Sequence, residues 1–130
     1  MIQLGVKGDA YLLDYANNKD IGGDLFLELI NIEQITLVFH ALKADMGIIF
    51  NESRQMPKNV SDTQIAANFC GFNTLGYDNR VHDLLGVTLD KSKQRTNWSK
   101  RPFSSEEIHY AANDAIYLQE LFPILTAKLE

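Results

Sequence analysis

The sequence predicts a mixed α/β sheet flanked by helices, built as a single domain over residues 1–130. Three observations carry this. Alternating apolar residues open the chain, a continuous apolar run at Ile35–Phe39 follows, and helical patterns dominate the second half. The length of 130 residues is one domain's worth of polypeptide and leaves no room for a second core. Hydrophobic residues at 45% and charged residues at 22% exclude intrinsic disorder and coiled coil. Twelve Lys and Arg against 17 Asp and Glu give a net charge of −5, so nucleic acid cannot be drawn by the overall field and would need a local basic patch.

Ile2, Leu4 and Val6 recur with a period of two, and Lys7-Gly8-Asp9 is a turn into a second run at Ala10–Tyr15, which predicts a hairpin. Asn17 to Gly23 reads as a loop, and a short helix begins near Asp24 and carries Leu25, Leu27, Leu29 and Ile30. Ile35–Phe39, β-branched at its start and apolar, fits a central strand covered on both faces. His40 to Phe50 has helical spacing on either side of Gly47, and residues 51–60, with Pro57, read as a loop. Ser61 or Asp62 caps a helix through Phe69 that stops at Gly71.

A further helix spans Asp78 to Leu85 and ends at Gly86, and residues 90–102 lack any apolar period. Ser104 with Glu107 three residues on forms a capping box before a long helix through Leu121. Pro123 is expected to break or restart the last helix. The apolar stretches fall far short of the roughly 20 residues that cross a bilayer, and the first residues make no signal-peptide core, so a cytoplasmic location is expected. The lone Cys70 cannot form an intrachain disulfide and reads as a small core residue.

Chemistry can be sought in three places. Tyr110 and Asp114 are four residues apart on a helix, which puts a phenol and a carboxylate on one face, where they could hold a reactive water. A half-buried Tyr and a solvated Asp at this spacing are also ordinary on an amphipathic helix. His40 and Asp45 straddle a strand end and the first turns of a helix, where open α/β sheets present ligand-binding groups. Asp45 is a candidate ligand for a hard divalent cation, or simply a carboxylate on a helix surface. Residues 91–101 hold Lys91, Lys93, Arg95, Lys100 and Arg101 with no acid, five of the twelve cations in eleven positions. This patch can neutralise phosphates while Trp98 stacks on a base or packs beneath the loop. No Walker loop, G-x-G-x-x-G or G-x-S-x-G is present.

Taken in order, Phe39-His40-Ala41-Leu42-Lys43-Ala44-Asp45, Asp62-Thr63-Gln64-Ile65-Ala66-Ala67, Leu89-Asp90-Lys91-Ser92 through Arg95-Thr96-Asn97-Trp98 and Arg101-Pro102, and Tyr110-Ala111-Ala112-Asn113-Asp114 resemble the ribonuclease D family of 3′-5′ exonucleases, in the DEDD or DnaQ-like superfamily. The resemblance implies a ribonuclease H-like (DnaQ-like) fold. It implies that Asp45 and Asp114 are metal ligands and that Tyr110 orients or helps deprotonate the attacking water. Two Mg²⁺ or Mn²⁺ ions, about 4 Å apart as in two-metal sites generally, would serve the hydrolysis. The implied substrate is the 3′ end of single-stranded RNA, with transfer RNA precursors among the candidates, and the products are nucleoside 5′-monophosphates. A phenol near its ordinary pKa of about 10 is a poor base, which favours positioning of the water over its deprotonation. His40, Lys91, Lys93, Arg95, Trp98 and Arg101 are the expected nucleic-acid contacts.

The sequence departs from that pattern at its start. Family members carry an Asp-x-Glu pair on a strand preceding the first one seen here, and the chain opens at Met1-Ile2-Gln3-Leu4 without it. Asp9 and Asp14 lie beyond the matching strand and cannot stand in. The expectation is a domain lacking its first, central strand, with the strands of Ile2–Val6 and Ile35–Phe39 left with unpaired edges. The family's C-terminal helical RNA-binding domains are also expected to be missing, and Asn97 stands where the family commonly has Asp. Weak or absent nuclease activity for these residues alone follows, and self-association through strand edges is expected. The rival reading is a non-catalytic nucleic-acid-binding or interaction module.

Overall fold

The computed structural model describes residues 1–73 and 76–130. The chain opens with the expected hairpin, in which β1 (Ile2–Val6) pairs antiparallel with β2 (Asp9–Leu13), Ile2 facing Leu13 and Val6 facing Asp9. Lys7 and Gly8 connect them at φ 52° and 86°. Two positive φ values in succession give the turn a twist that matches the right-handed twist of the strands. The hairpin rests on α5 (Ser105–Leu129). Gln119 of α5 grips the turn, its Oε1 accepting from the Gly8 N–H at 2.8 Å and its Nε2 donating to the Asp9 carbonyl at 3.1 Å. A β-carbon at Gly5 would lie 2.4 Å from the Ala115 carbonyl oxygen, so this close approach of β1 to α5 requires glycine.

α1 (Lys19–Asn31) starts well before the expected Asp24 and includes Gly22 and Gly23, which the sequence pattern assigns to a loop. The reason is packing against Tyr15. A β-carbon at Gly22 would fall 2.1 Å from the Tyr15 ring, so the helix accepts glycine's cost of about 1 kcal/mol to admit that ring. β3 (Leu37–Phe39) is shorter than the run Ile35–Phe39 and pairs parallel with β4 (Val60–Asp62). It is not a central strand: β4 is its only ladder partner among the described residues. The sequence pattern assigns these residues of β4 to a loop and a helix cap, because three residues are too few to display an alternating pattern. α2 (Leu42–Ser53) runs past the expected Phe50, and the Ser53 hydroxyl donates to the Ile49 carbonyl at 2.7 Å.

α3 (Thr63–Phe69) follows β4 directly and α4 (Tyr77–Leu85) ends at Gly86, whose φ of 70° suits a glycine at a helix end. Residues 87–104 carry neither helix nor strand. The capping box at the start of α5 is complete: the Glu107 N–H donates to Ser104 Oγ at 3.1 Å, and the Ser104 N–H to Glu107 Oε1 at 3.3 Å. Pro123 neither breaks nor restarts this helix, which runs on to Leu129. Leu121 and Leu125, on either side of the proline, are fully buried and hold both halves of the helix to one core.

α5 is the organising element, packing against β1, β2, α3, α4 and β3. Its Ala111, Ala115, Leu121 and Leu125 join Ala67 of α3 and Val81 of α4 among the buried residues. The architecture is mixed α/β, with an antiparallel pair β1-β2 and a parallel pair β3-β4 that do not pair with each other. β1 and β3 therefore each keep one edge without a ladder partner among the described residues, as the sequence predicts. No helix among the described residues is long and apolar enough to cross a membrane.

Candidate active site

The parallel register pairs Phe39 with Asp62, so both strands end side by side where α2 and α3 begin. The Asp62 carboxylate serves both helices. It accepts from the Gln64 N–H at 2.8 Å, the expected cap of α3, and from the Ala41 and Leu42 N–H groups at 3.0 and 2.7 Å, an unexpected cap of α2. Ala41 is held at φ 60°, a left-handed conformation that costs a residue with a β-carbon about 1–2 kcal/mol. Beside it, Thr63 is fully buried, and its hydroxyl donates to the Phe39 carbonyl at 3.1 Å. His40 Nδ1 lies 2.9 Å from the same hydroxyl oxygen. Since the hydroxyl proton is directed to Phe39, His40 Nδ1 is the donor to Thr63, and the proton-free nitrogen is Nε2. Nε2 is buried with no hydrogen-bond partner among the described residues. Burial depresses the His40 pKa below its ordinary value, with Asp62 opposing.

Across from this turn, α5 presents Tyr110 and Asp114 one helical turn apart, as their spacing predicts, to a cleft of about 240 Å³ that Tyr77, Asp78, Asp90 and Lys91 also line. Desolvation pushes the Asp114 carboxyl up to about 6. Its side-chain partner is Gln3 of β1, whose Nε2 donates at 3.3 Å. The Tyr110 phenol is also raised, first by desolvation and then by the Asp114 charge, so it stays protonated at neutral pH. It can orient a water molecule but is not a ready base.

Tyr77, which the sequence pattern did not single out, links the two regions. Its hydroxyl donates to the Asn113 carbonyl at 2.5 Å, and its ring meets the His40 ring edge-on at 5.7 Å. Burial and then the Asp114 charge raise its pKa far above the ordinary value. The signal available in the sequence was an aromatic residue immediately before the predicted helix start at Asp78, too common a feature to mark a site.

Asp45 lies in the first turn of α2, exposed on its helix. Desolvation by neighbouring protein atoms, then the Asp62 charge, raises its pKa. Asp45 does not line the cleft of Tyr110 and Asp114. The structure thus brings Tyr110 and Asp114 to one cleft and leaves Asp45 outside its lining.

The basic loop is largely neutralised within the chain. Lys91 pairs with Asp78 at 2.8 Å, Lys93 with Glu106 at 3.2 Å, and Arg101 with Asp14. Arg95 and Lys100 are exposed and make no ion pair among the described residues. Trp98 is half-buried, its ring 5.8 Å from Phe103 and 6.0 Å from Tyr110, so it packs against the aromatic side chains around the loop.

A mixed α/β domain with a phenol and a carboxylate facing one cleft on its longest helix is the class that these features define. The chain belongs to the 3′-5′ exonuclease family, which it matches over residues 1–130, and within it to the ribonuclease D-like exonuclease domains. It is 36% identical to ribonuclease D of Bartonella henselae over 100% of its own length and 32% of that protein. The Escherichia coli RNase D structure, an exoribonuclease involved in structured RNA processing, covers 89% of the chain at 33% identity and a TM-score of 0.72, the match taking in 29% of that protein. Brucella melitensis NrnC with bound Mg²⁺ covers 79% of the chain and 50% of its own at 26% identity and a TM-score of 0.70. The chain spans about a third of the length of the curated relatives it matches.

Enzymes of this kind use divalent cations, for which Asp45 and Asp114 are the right hard oxygen donors. Among the described residues, however, no three His, Cys, Asp or Glu side chains converge closely enough to hold an ion. A two-metal centre needs several carboxylates from different elements, and the described residues do not bring such a set together.

Proposed function

We propose that this chain is an exonuclease domain acting in the cytoplasm on the 3′ end of single-stranded RNA, with transfer RNA precursors among its candidate substrates and nucleoside 5′-monophosphates as products. Asp45 and Asp114 would be ligands to Mg²⁺ or Mn²⁺, Asp114 at the hydrolytic centre with Tyr110. The observation that carries the reading is the shared cleft of Tyr110 and Asp114. There a neutral phenol can donate a hydrogen bond to a water, and a carboxylate with a pKa of about 6, ionised at pH 7–8, can accept one from it. Weak or absent turnover by these 130 residues alone is part of the proposal, supported by the lack, among the described residues, of three converging metal-ligating side chains.

The test is a 5′-labelled single-stranded RNA incubated with Mg²⁺ or Mn²⁺ and the pure chain, with Asp114→Ala as control. Little or no shortening is expected. Robust shortening by the parent that is lost in the variant would overturn the claim of an incomplete centre, and equal shortening by both would remove Asp114 from the site.

A second reading, a non-catalytic RNA-binding module, is favoured by exposed Arg95 and Lys100. Each phosphate neutralised on a single strand adds about −0.7 to the slope of log K against log salt, so these two exposed cations predict a slope of about −1 to −2. The edges of β1 and β3 that lack a ladder partner among the described residues also support self-association, which light scattering at rising concentration would register.

A further inference from the structure

Arg101 is spent inside the molecule. Its Nε and Nη2 donate to the two carboxylate oxygens of Asp14 at 2.7 and 2.5 Å, and its Nη1 donates to the Trp98 and Lys100 carbonyls at 2.7 and 3.0 Å. Of the five N–H donors of a guanidinium, four are thus committed to this chain. The guanidinium carbon also lies 4.0 Å from the centroid of the Phe103 ring. Asp14 is fixed in turn by Asn17, whose Nδ2 donates to it at 2.8 Å. The Trp98 ring, its own carbonyl held by Arg101, lies near Phe103 on one side and Tyr110 on another, the latter at an interplanar angle of 31°.

We propose that Asp14 and Arg101 are positioning residues that hold the Tyr110 ring in its cleft through Trp98 and Phe103, and that Arg101 is not a phosphate contact. The proposal rests on the reading of Tyr110 as a group of the hydrolytic centre. Physically, a bidentate ion pair between residues 87 positions apart ties the loop to the end of the hairpin, and only a planar fork can bond a carboxylate and two carbonyls at once. Lysine keeps the charge and loses that geometry. The aromatic side chains that depend on the loop's path then transmit its position to α5.

Trp98 is the only tryptophan of the chain, so its emission reports on this contact without ambiguity. In Arg101→Lys and in Asp14→Asn alike, a red shift of the emission, stronger quenching by acrylamide and displaced Tyr110 ring resonances in NMR spectra are expected, with far-ultraviolet circular dichroism unchanged. The double variant should add nothing further, and the exchanged pair Asp14→Arg with Arg101→Asp should restore part of the parent signal. Should these variants not fold, Asp14→Glu keeps the charge, shifts it by one methylene and should still move the Tyr110 resonances. Unmoved Trp98 emission and Tyr110 resonances in a folded variant would overturn the proposal. So would tighter RNA binding by Asp14→Asn with the Trp98 signal intact, since that is what a released phosphate contact would give. Where the parent shows residual Mn²⁺-dependent shortening of the labelled RNA, an equal rate in Tyr110→Phe would instead remove the hydrolytic role of Tyr110, a separate failure that the spectra distinguish.

Discussion

The carboxylate of Asp62 accepts the backbone N–H of Leu42 at 2.7 Å, so the side chain that caps α3 also closes the entry to α2. One residue thereby satisfies donors at two helix starts that the parallel register of β3 and β4 has brought side by side. Loss of a single cap costs about 0.5–2 kcal/mol, so Asp62→Ala is expected to lower stability by about 1–3 kcal/mol in urea denaturation. Asp62→Asn, which keeps one acceptor oxygen, should lose less. An Asp62→Ala variant as stable as the parent would show that the two helix starts find other partners at no cost.

Asp114 lends the domain a pH dependence of a definite sign. Its carboxyl is raised from 3.8 to about 6, so the folded chain binds more protons than the unfolded one between those values. This contribution to stability is full below about pH 4 and is lost as the pH rises through 6. Asp114→Asn should therefore be more stable than the parent at pH 8 in thermal melts, with the difference shrinking toward pH 4. If Asp114 binds a divalent cation, Mn²⁺ or Mg²⁺ should lower its titration midpoint in NMR spectra. A midpoint unmoved by either ion at millimolar concentration would count against its role as a ligand.

Asp14 has the opposite sign. The Arg101 hydrogen bonds, with help from Asn17, hold its carboxyl well below the ordinary value of 3.8. The stabilising contribution of the ionised pair is present above about pH 4 and fades as the pH falls below it. The melting temperatures of the parent and of Asp14→Asn should differ at pH 7 and converge below pH 3, and a difference that persists in acid would mean that Asn17 contacts, not charge, carry the effect.

What the sequence made legible was local. The Ser104-Glu107 box, the Asp62 cap and the Tyr110-Asp114 spacing each lie within a few residues, where helix geometry fixes the outcome, and each is found where expected. What it concealed depended on partners far along the chain. Gly22 is helical because a tyrosine ring needs its space, β4 exists because β3 lies beside it, and Arg101 is held by an acid just past the end of the hairpin. The composition of residues 91–101 suggested five cations awaiting phosphate, yet Asp78, Glu106 and Asp14 neutralise three of them. No count of charges within the loop could reveal those acids.

Pro123 offers the clearest test of how α5 overrides a local rule. Inside a helix, proline forfeits one backbone hydrogen bond and crowds the preceding turn, at a cost of about 3 kcal/mol against alanine. The helix nevertheless continues to Leu129, because Leu121 and Leu125 on either side are both at 0% exposure and their burial would be forfeited by a break. Pro123 itself is exposed, so replacing it removes little packing. Pro123→Ala is thus expected to stabilise the domain by about 1–3 kcal/mol in urea denaturation, reduced from the full value by the freedom that proline removes from the unfolded chain. Leu125→Ala should move stability in the other direction by about 2–5 kcal/mol. A destabilised Pro123→Ala variant would mean that the proline ring makes a contact the core depends on, and the account of α5 as a helix kept continuous by its flanking leucines would have to be given up.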